Sequence, residues 1–228
     1  MAGLTILATV GCSGGEGVDA ANSVGVKSSS PAGTPEKSLT AQDLKTLALT
    51  ADEVPGNRGV DVRDAASESE STFPPVSVKP CQTIIDFIHA DGASASVVQV
   101  FNWEKDIAGG GSTLAYYGVD EAKRAFQRAR EALKRCASYS GANHAGEYTA
   151  EVKAGKAPNV GDGAVVFHEA TSVKSFDGVE SITANTEYVC VRTGGAVAVF
   201  NKSGYEKDVT FPRRLIAKQV DRLAKAQR

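Results

Sequence analysis

Methionine occurs once, at Met1, tryptophan once, at Trp103, and histidine three times, at His89, His144 and His168. None of the three histidines has metal-ligand spacing to another histidine or to a cysteine, so no metal site is expected. His168-Glu169 lacks the second histidine of a zinc-protease helix and falls in a strand pattern. Positive charge is also short: 25 Lys+Arg against 27 Asp+Glu leave a net −2 and a pI near 6.0. No field draws a phosphate backbone, which excludes a strongly basic nucleic-acid binder. Long apolar runs are absent; the first ends at Cys12, and no later one approaches the ~20 residues of a membrane helix. There is no G-x-S-x-G elbow. Gly109-Gly110-Gly111-Ser112-Thr113 lacks the lysine of a phosphate loop and joins two strand patterns, so it reads as a turn. Gly161-Asp162-Gly163 reads as another turn, and its single carboxylate is weak support for a cation site. With no nucleophile–base set, neither catalysis nor a cofactor is expected.

What remains is ordinary globular material: 228 residues, 42 % hydrophobic and 23 % charged. Residues 1–12 read as the end of a secretory signal, and small residues before Cys12 resemble the lipobox of bacterial lipoproteins. In a lipobox that cysteine is lipidated and becomes the new N-terminus. No Lys or Arg precedes the apolar core, so the expected start lies further upstream, and Thr9 stands where lipoboxes carry Leu. Residues 13–38 are Ser-, Gly-, Ala- and Pro-rich and read as a flexible tether. Residues 39–228 form the expected domain.

Thr40 and Asp43 open a helix in which Leu44, Leu47 and Ala48 share a face; it is expected to run on towards Pro55. An irregular acidic loop with Asp64, Glu68 and Glu70 follows. Residues 80–90 form a second helix, with Cys81, Ile84, Ile85 and Ile88 on one face. A third helix, capped by Asp120 and running to Ala137, lines up Ala122, Ala125, Phe126, Ala129, Leu133 and Cys136. A fourth starts near Pro212, with Ile216, Val220, Leu223 and Ala224 inward. Strand patterns occupy 95–103, 112–117, 146–153, 163–170, 182–192 and 196–200. Such an order predicts an α+β domain with a twisted, mostly antiparallel sheet of five or six strands. The third and fourth helices are expected to cover one sheet face and leave the other open.

Removing a lipidated Cys12 leaves Cys81, Cys136 and Cys190. An odd count in an exported chain means one bridge and one spare thiol, or an intermolecular partner. Cys81 and Cys136 lie on the core faces of their helices and can meet; Cys136–Cys190 is the rival pairing. Three reduced thiols would instead fit a cytosolic protein. The pleat is read as setting Val189 and Val191 beside Val197 and Val199, with Cys190 on the other face as a free, half-buried thiol.

Several stretches carry a resemblance. They are Leu49-Thr50-Ala51-Asp52-Glu53-Val54-Pro55-Gly56, the helix opened by Cys81, and Tyr116-Tyr117-Gly118-Val119-Asp120-Glu121-Ala122 with Leu133 and Cys136. Val160 to Phe167 and the hairpin Val191 to Phe200 complete them. Together they resemble actinobacterial lipoproteins related to the extracellular sensor domain of mycobacterial serine/threonine kinases, the PknH-like extracellular domain. The resemblance spans roughly 40–227 and implies an antiparallel sheet with packed helices forming a cleft for an unidentified ligand. It departs in its cysteines, since the kinase sensors carry two disulfides, and in Leu133, where they tend to have Trp.

The expected function is therefore a lipid-anchored, extracytoplasmic binding or sensor-like module at the cell membrane. Its partner is a small molecule or an envelope component, and nucleic acid is not one. Trp103, Tyr116, Tyr117 and Tyr188 are the candidate ligand contacts, because aromatics supply much of a small-ligand surface. Plain packing is the competing reading for each. The alternative is an envelope interaction or scaffold protein using a sheet face or the basic side of a helix, such as Arg213, Arg214, Lys218 and Arg222. An enzyme built on His168 with Glu169 or Asp162 requires those side chains to converge.

Overall fold

In the computed structural model the described residues are 37–65, 74–104, 108–144, 146–173, 181–205 and 209–228. Cys12, the lipobox, tether residues 13–36, Glu68 and Glu70 lie outside them.

Helix α1 (Ala41–Leu47) starts on a capping box. The Asp43 amide donates to Thr40 Oγ1 at 3.1 Å, and the Thr40 amide donates to Asp43 Oδ2 at 2.9 Å. The helix closes at Leu47, earlier than expected, because Thr50 begins a separate one-turn 3-10 helix (Ala51–Glu53) by donating its amide to Glu53 Oε2. Next comes strand β1 (Asn57–Asp64), where the sequence suggested irregular loop. Helix α2 spans Lys79–Ile88, β2 Ala95–Trp103 and β3 Gly110–Tyr116. Gly110 and Gly111 belong to β3 rather than to a turn. A Cβ on Gly111 would sit 2.2 Å from the Gln99 carbonyl oxygen, so the close strand approach demands glycine. Helix α3 (Val119–Leu133) is entered through Gly118 at φ 82°, so Asp120 lies in its first turn rather than at its cap. It ends before Ala137, and β4 (Ser138–Asn143) follows. Then come β5 (Gly146–Gly155), β6 (Gly163–Val173), β7 (Ile182–Thr193), β8 (Ala196–Gly204) and α4 (Arg213–Ala226).

The eight strands form one sheet in the order β1-β2-β3-β8-β7-β6-β5-β4, with all neighbours antiparallel. Eight replaces the expected five or six, and the two additional strands are the two edges. The reason is burial. In β4 only Tyr139 is buried, and in β1 no residue is fully buried, so the apolar alternation that marks a strand is weak in both.

Helices cover both faces, which corrects the expectation that α3 and α4 share one. On one face α1 and α4 bury Leu44, Leu215, Ile216, Val220 and Leu223 against Val97, Phe101, Leu114, Val189, Val191 and Phe200. On the other, α2 and α3 bury Ile84, Phe87, Ala122, Phe126 and Ala129 against Ala150, Phe167, Val197 and Val199. Alternation along each strand splits the residues cleanly between the two cores.

Cys81 and Cys136 form a disulfide, with Cα atoms 5.0 Å apart, beneath α2 and α3. Cys190 is free but fully buried rather than half-buried. It pairs with Val199, whereas Val189 and Val191 pair with Phe200 and Ala198, so Cys190 shares its face with Val197 and Val199. The expected facing fails because it assumed a register one residue away, and such a slip reverses every side chain. Burial pushes the Cys190 thiol up to about 12, which keeps it protonated and unreactive.

Helix α4 is clamped to the α1 segment by polar contacts. Gln219 Nε2 donates to the Leu47 carbonyl at 2.9 Å, and Arg222 Nη1 to that of Ala48 at 3.0 Å. Lys218 Nζ lies 2.7 Å from Glu53 Oε1, and Arg222 also donates to that oxygen. Hydrogen bonds from Lys218 and the Thr50 amide, with Arg222 adding to them, hold the Glu53 carboxyl down at about 2. A depressed carboxyl contributes stability above its unfolded value near 4.5, and that contribution disappears as pH falls towards 2. Glu53→Gln should cost about 1–3 kcal/mol at pH 7 and much less at pH 2.5, measured by urea unfolding at both. An equal loss at both pH values would exclude the clamp.

Candidate functional site

Two helices cannot cover eight strands on the α1/α4 face. The part that no described helix covers lies over β5, β6 and β7, beyond the N-terminus of α4, where apolar side chains give way to polar ones. Along β6 the residues on this face are Val166, His168 and Ala170; along β7 they are Val189, Glu187, Asn185 and Thr183. A groove of about 680 Å³ occupies this region. Its floor is His168, Ala170, Thr183 and Asn185, and one wall is Glu151 and Lys153 of β5. The other wall is Tyr205, Val209 and Thr210.

The second wall is held by a buried carboxylate. Glu187, 1 % exposed, accepts the Phe211 amide at 2.7 Å and an Arg213 guanidinium N–H at 2.5 Å. Charge-assisted bonds of this kind are strong, and they anchor the chain where it enters α4. Phe211 then wedges between Phe200, Phe101 and Trp103, with ring centroids 5.2, 5.9 and 6.0 Å away. Thus Val209 and Thr210 face the groove while the next residue packs into the core. Trp103 lies on the core side of Phe211, beneath Lys202 Nζ at 5.0 Å from its ring. On the floor, the His168 ring lies over Gly155, where a Cβ would come 3.1 Å from Nε2.

The opposite face holds a separate polar cluster. Tyr139 Oη donates to Glu169 Oε2 at 2.7 Å, and Thr171 Oγ1 donates to Oε1 at 3.1 Å. Burial raises the Glu169 carboxyl above the usual range, and burial with the Glu169 charge raises Tyr139. Tyr188 stacks on Phe167 at 4.8 Å between centroids. Adjacent His168 and Glu169 therefore point to opposite faces of the sheet. Asp162 is at the far end of β6, accepting the Gly194 amide at 2.7 Å and Arg192 Nη1 at 3.1 Å. The convergence that the enzymatic alternative requires is not present.

The four expected aromatics do not share one pocket. Trp103 and Tyr116 belong to the α1/α4 core, at opposite ends of the β2–β3 ladder. Tyr117 and Tyr188 pack on the α2/α3 side, where burial raises both hydroxyls. The motif residues at 160–163 and 192–195 are structural. Gln227, at the end of α4, accepts the Gly195 amide at 2.8 Å and donates to the Thr193 carbonyl at 3.1 Å. The groove residues Asn185 and Tyr205 escaped sequence reading. The available signal was a tyrosine in a polar stretch just after a strand, Gly204-Tyr205, and it is weak.

The class is thus an α+β domain: one eight-stranded antiparallel sheet between two helical layers, with a polar groove on one face. Among solved structures, the chain is similar to the extracellular domain of PknH from Mycobacterium tuberculosis. The match has 19 % identity and a TM-score of 0.60, covering 83 % of this chain and 98 % of that one. The similarity is one of fold, as the motif resemblance implied. No family model and no curated protein matches the chain. Among the described residues, no helix is long and apolar enough to cross a membrane.

Proposed function

We propose that the chain is a lipid-anchored, extracytoplasmic, sensor-like binding module without catalytic activity, whose ligand occupies the groove over β5, β6 and β7. The observation that carries this reading is the groove itself. A sheet face that is apolar under α4 turns polar where three strands and the Val209–Thr210 segment converge. Support also comes from the fold shared with the extracellular domain of PknH, and from the lipobox and tether read in residues 1–38. Trp103, one residue pair removed through Phe211, is suited to report occupancy rather than to touch the ligand.

The test is a thermal-shift screen of envelope-derived small molecules against the wild type and Ala170→Trp, which fills the groove floor. A ligand at 100 times its Kd stabilises by about 2.7 kcal/mol. The expected result is a compound that raises the wild-type Tm by several degrees, shifts Trp103 emission and leaves Ala170→Trp unmoved. Equal shifts in both proteins would reject the groove. Intact mass of the membrane-extracted protein checks the anchor: an acyl adduct at Cys12 is expected.

A second reading, an envelope interaction surface, draws on the outer side of α2 and α3. Thr83, Arg124, Arg128 and Arg135 line a depression of about 510 Å³ there. Glu121 engages Arg124 and Arg128 at 2.8 and 2.7 Å, which reduces its positive field and leaves the groove as the preferred site.

A further inference from the structure

We infer that the groove takes a neutral saccharide. This inference rests on the groove being the binding site and specifies the class of ligand. Charge is the first argument. Glu151 and Lys153 lie side by side on one wall, 3.6 Å apart, and cancel. The Glu187 carboxylate is consumed by Phe211 and Arg213, and that of Glu169 lies on the other face. A ligand of either charge meets both Glu151 and Lys153 on this wall and finds no arginine among the described lining residues.

Polarity is the second argument. Ala170, Val209 and the alkyl stems of the wall residues give the groove apolar surface, but Asn185, Thr183 and Thr210 stand among them, and an acyl chain would take these polar groups out of water. These side chains both donate and accept, as sugar hydroxyls do. The Thr183 hydroxyl is oriented by that of Ser172 at 2.8 Å beside the groove. Shape is the third. Tyr205 stands at the rim with 66 % of its surface exposed, where its ring can serve as a platform. The C–H face of a pyranose packs flat on such a ring while its hydroxyls reach the polar floor. The volume lies within the range of about 300–1,000 Å³ typical of small-ligand sites and suits a short oligosaccharide.

The experiment titrates the full chain with maltotriose, cellotriose and chitotriose, following Trp103 emission and calorimetric heat. Inorganic phosphate and decanoate are run in parallel. Binding of at least one trisaccharide is expected, abolished by Ala170→Trp and weakened about tenfold by Tyr205→Ala. Tyr205→Phe should retain it, since the ring rather than the hydroxyl makes the contact. Tyr205 is exposed, so these variants fold. If no trisaccharide binds, or if Tyr205→Ala leaves binding unchanged, the saccharide assignment is overturned. If phosphate or decanoate binds and Ala170→Trp blocks it, the groove stands and the ligand class falls. If Ala170→Trp blocks no probe, both fall.

Discussion

Phe211→Ala is expected to remove about 3–5 kcal/mol of stability. The ring is 1 % exposed and fills the space between Phe101, Phe200 and Trp103. Its removal leaves a cavity that the sheet cannot close, because strand positions are set by their ladders. A loss of this size is a large share of the about 5–15 kcal/mol that holds a typical domain together. Trp103 should report the change directly, with a red-shifted emission as water reaches the vacated space. The groove should suffer too, since Val209 and Thr210 form its wall and are continuous with the wedge. Urea unfolding followed by Trp103 fluorescence and by circular dichroism measures the effect. A loss below about 1 kcal/mol would show that the segment is held by Glu187 alone.

Loss of the Cys81–Cys136 bridge should be of similar size. The bridge spans 55 residues that include β2, β3 and α3, and the chain-entropy estimate for such a loop is about 4 kcal/mol. The double variant Cys81→Ala, Cys136→Ala should therefore unfold at markedly lower urea concentration while keeping its far-ultraviolet spectrum. Thiol counting adds an independent check. In the chain carrying Cys12→Ser, without reductant, one thiol should react with maleimide after unfolding and none before, because Cys190 is buried with its proton held on. Two or more reactive thiols in the unfolded, unreduced domain would exclude the bridge. A stability change near zero would mean that the unfolded chain is already as constrained as the cross-linked one.

Both results bear on what is legible in a sequence. The Cys81–Cys136 pairing was the favoured one of two that the sequence left open, because both cysteines continue the apolar face of a helical pattern; the structure decides it against Cys136–Cys190. The face that Cys190 occupies was not readable. That depends on whether Val199 or its neighbours lie across from it on β8, which the loop length sets: a three-residue loop Thr193-Gly194-Gly195 gives the expected facing, and the two-residue turn Gly194-Gly195 gives the observed one. The edge strands illustrate the same limit. Val60 and Val62 of β1 alternate with Asp61 and Arg63, but Gly59 and the acidic residues around them dilute the signal. Tyr139 alone marks β4. Part of the basic face assigned to α4 proved to be ion-paired within the domain, with Arg213, Lys218 and Arg222 engaged by Glu187 and Glu53. Charge on a helix was legible; its partners, more than a hundred residues away in the case of Glu53, were not.

The site was the least legible part. The aromatics singled out for ligand contact are mainly packing residues, since a large apolar ring is as useful in a core as in a cleft. The groove instead draws on residues of four segments, β5, β6, β7 and the chain between β8 and α4, that no short motif connects.

Local periodicity, by itself, determined the six central strands, the four helices and the cysteines that could meet, because those depend on side-chain spacing within a single segment. Tertiary structure decided the edges of the sheet, the helices allotted to each face and the exposed polar strip over β5 to β7. These depend on register and coverage between distant segments. Two helices per face are too few to cover eight strands, and where coverage stops the groove begins.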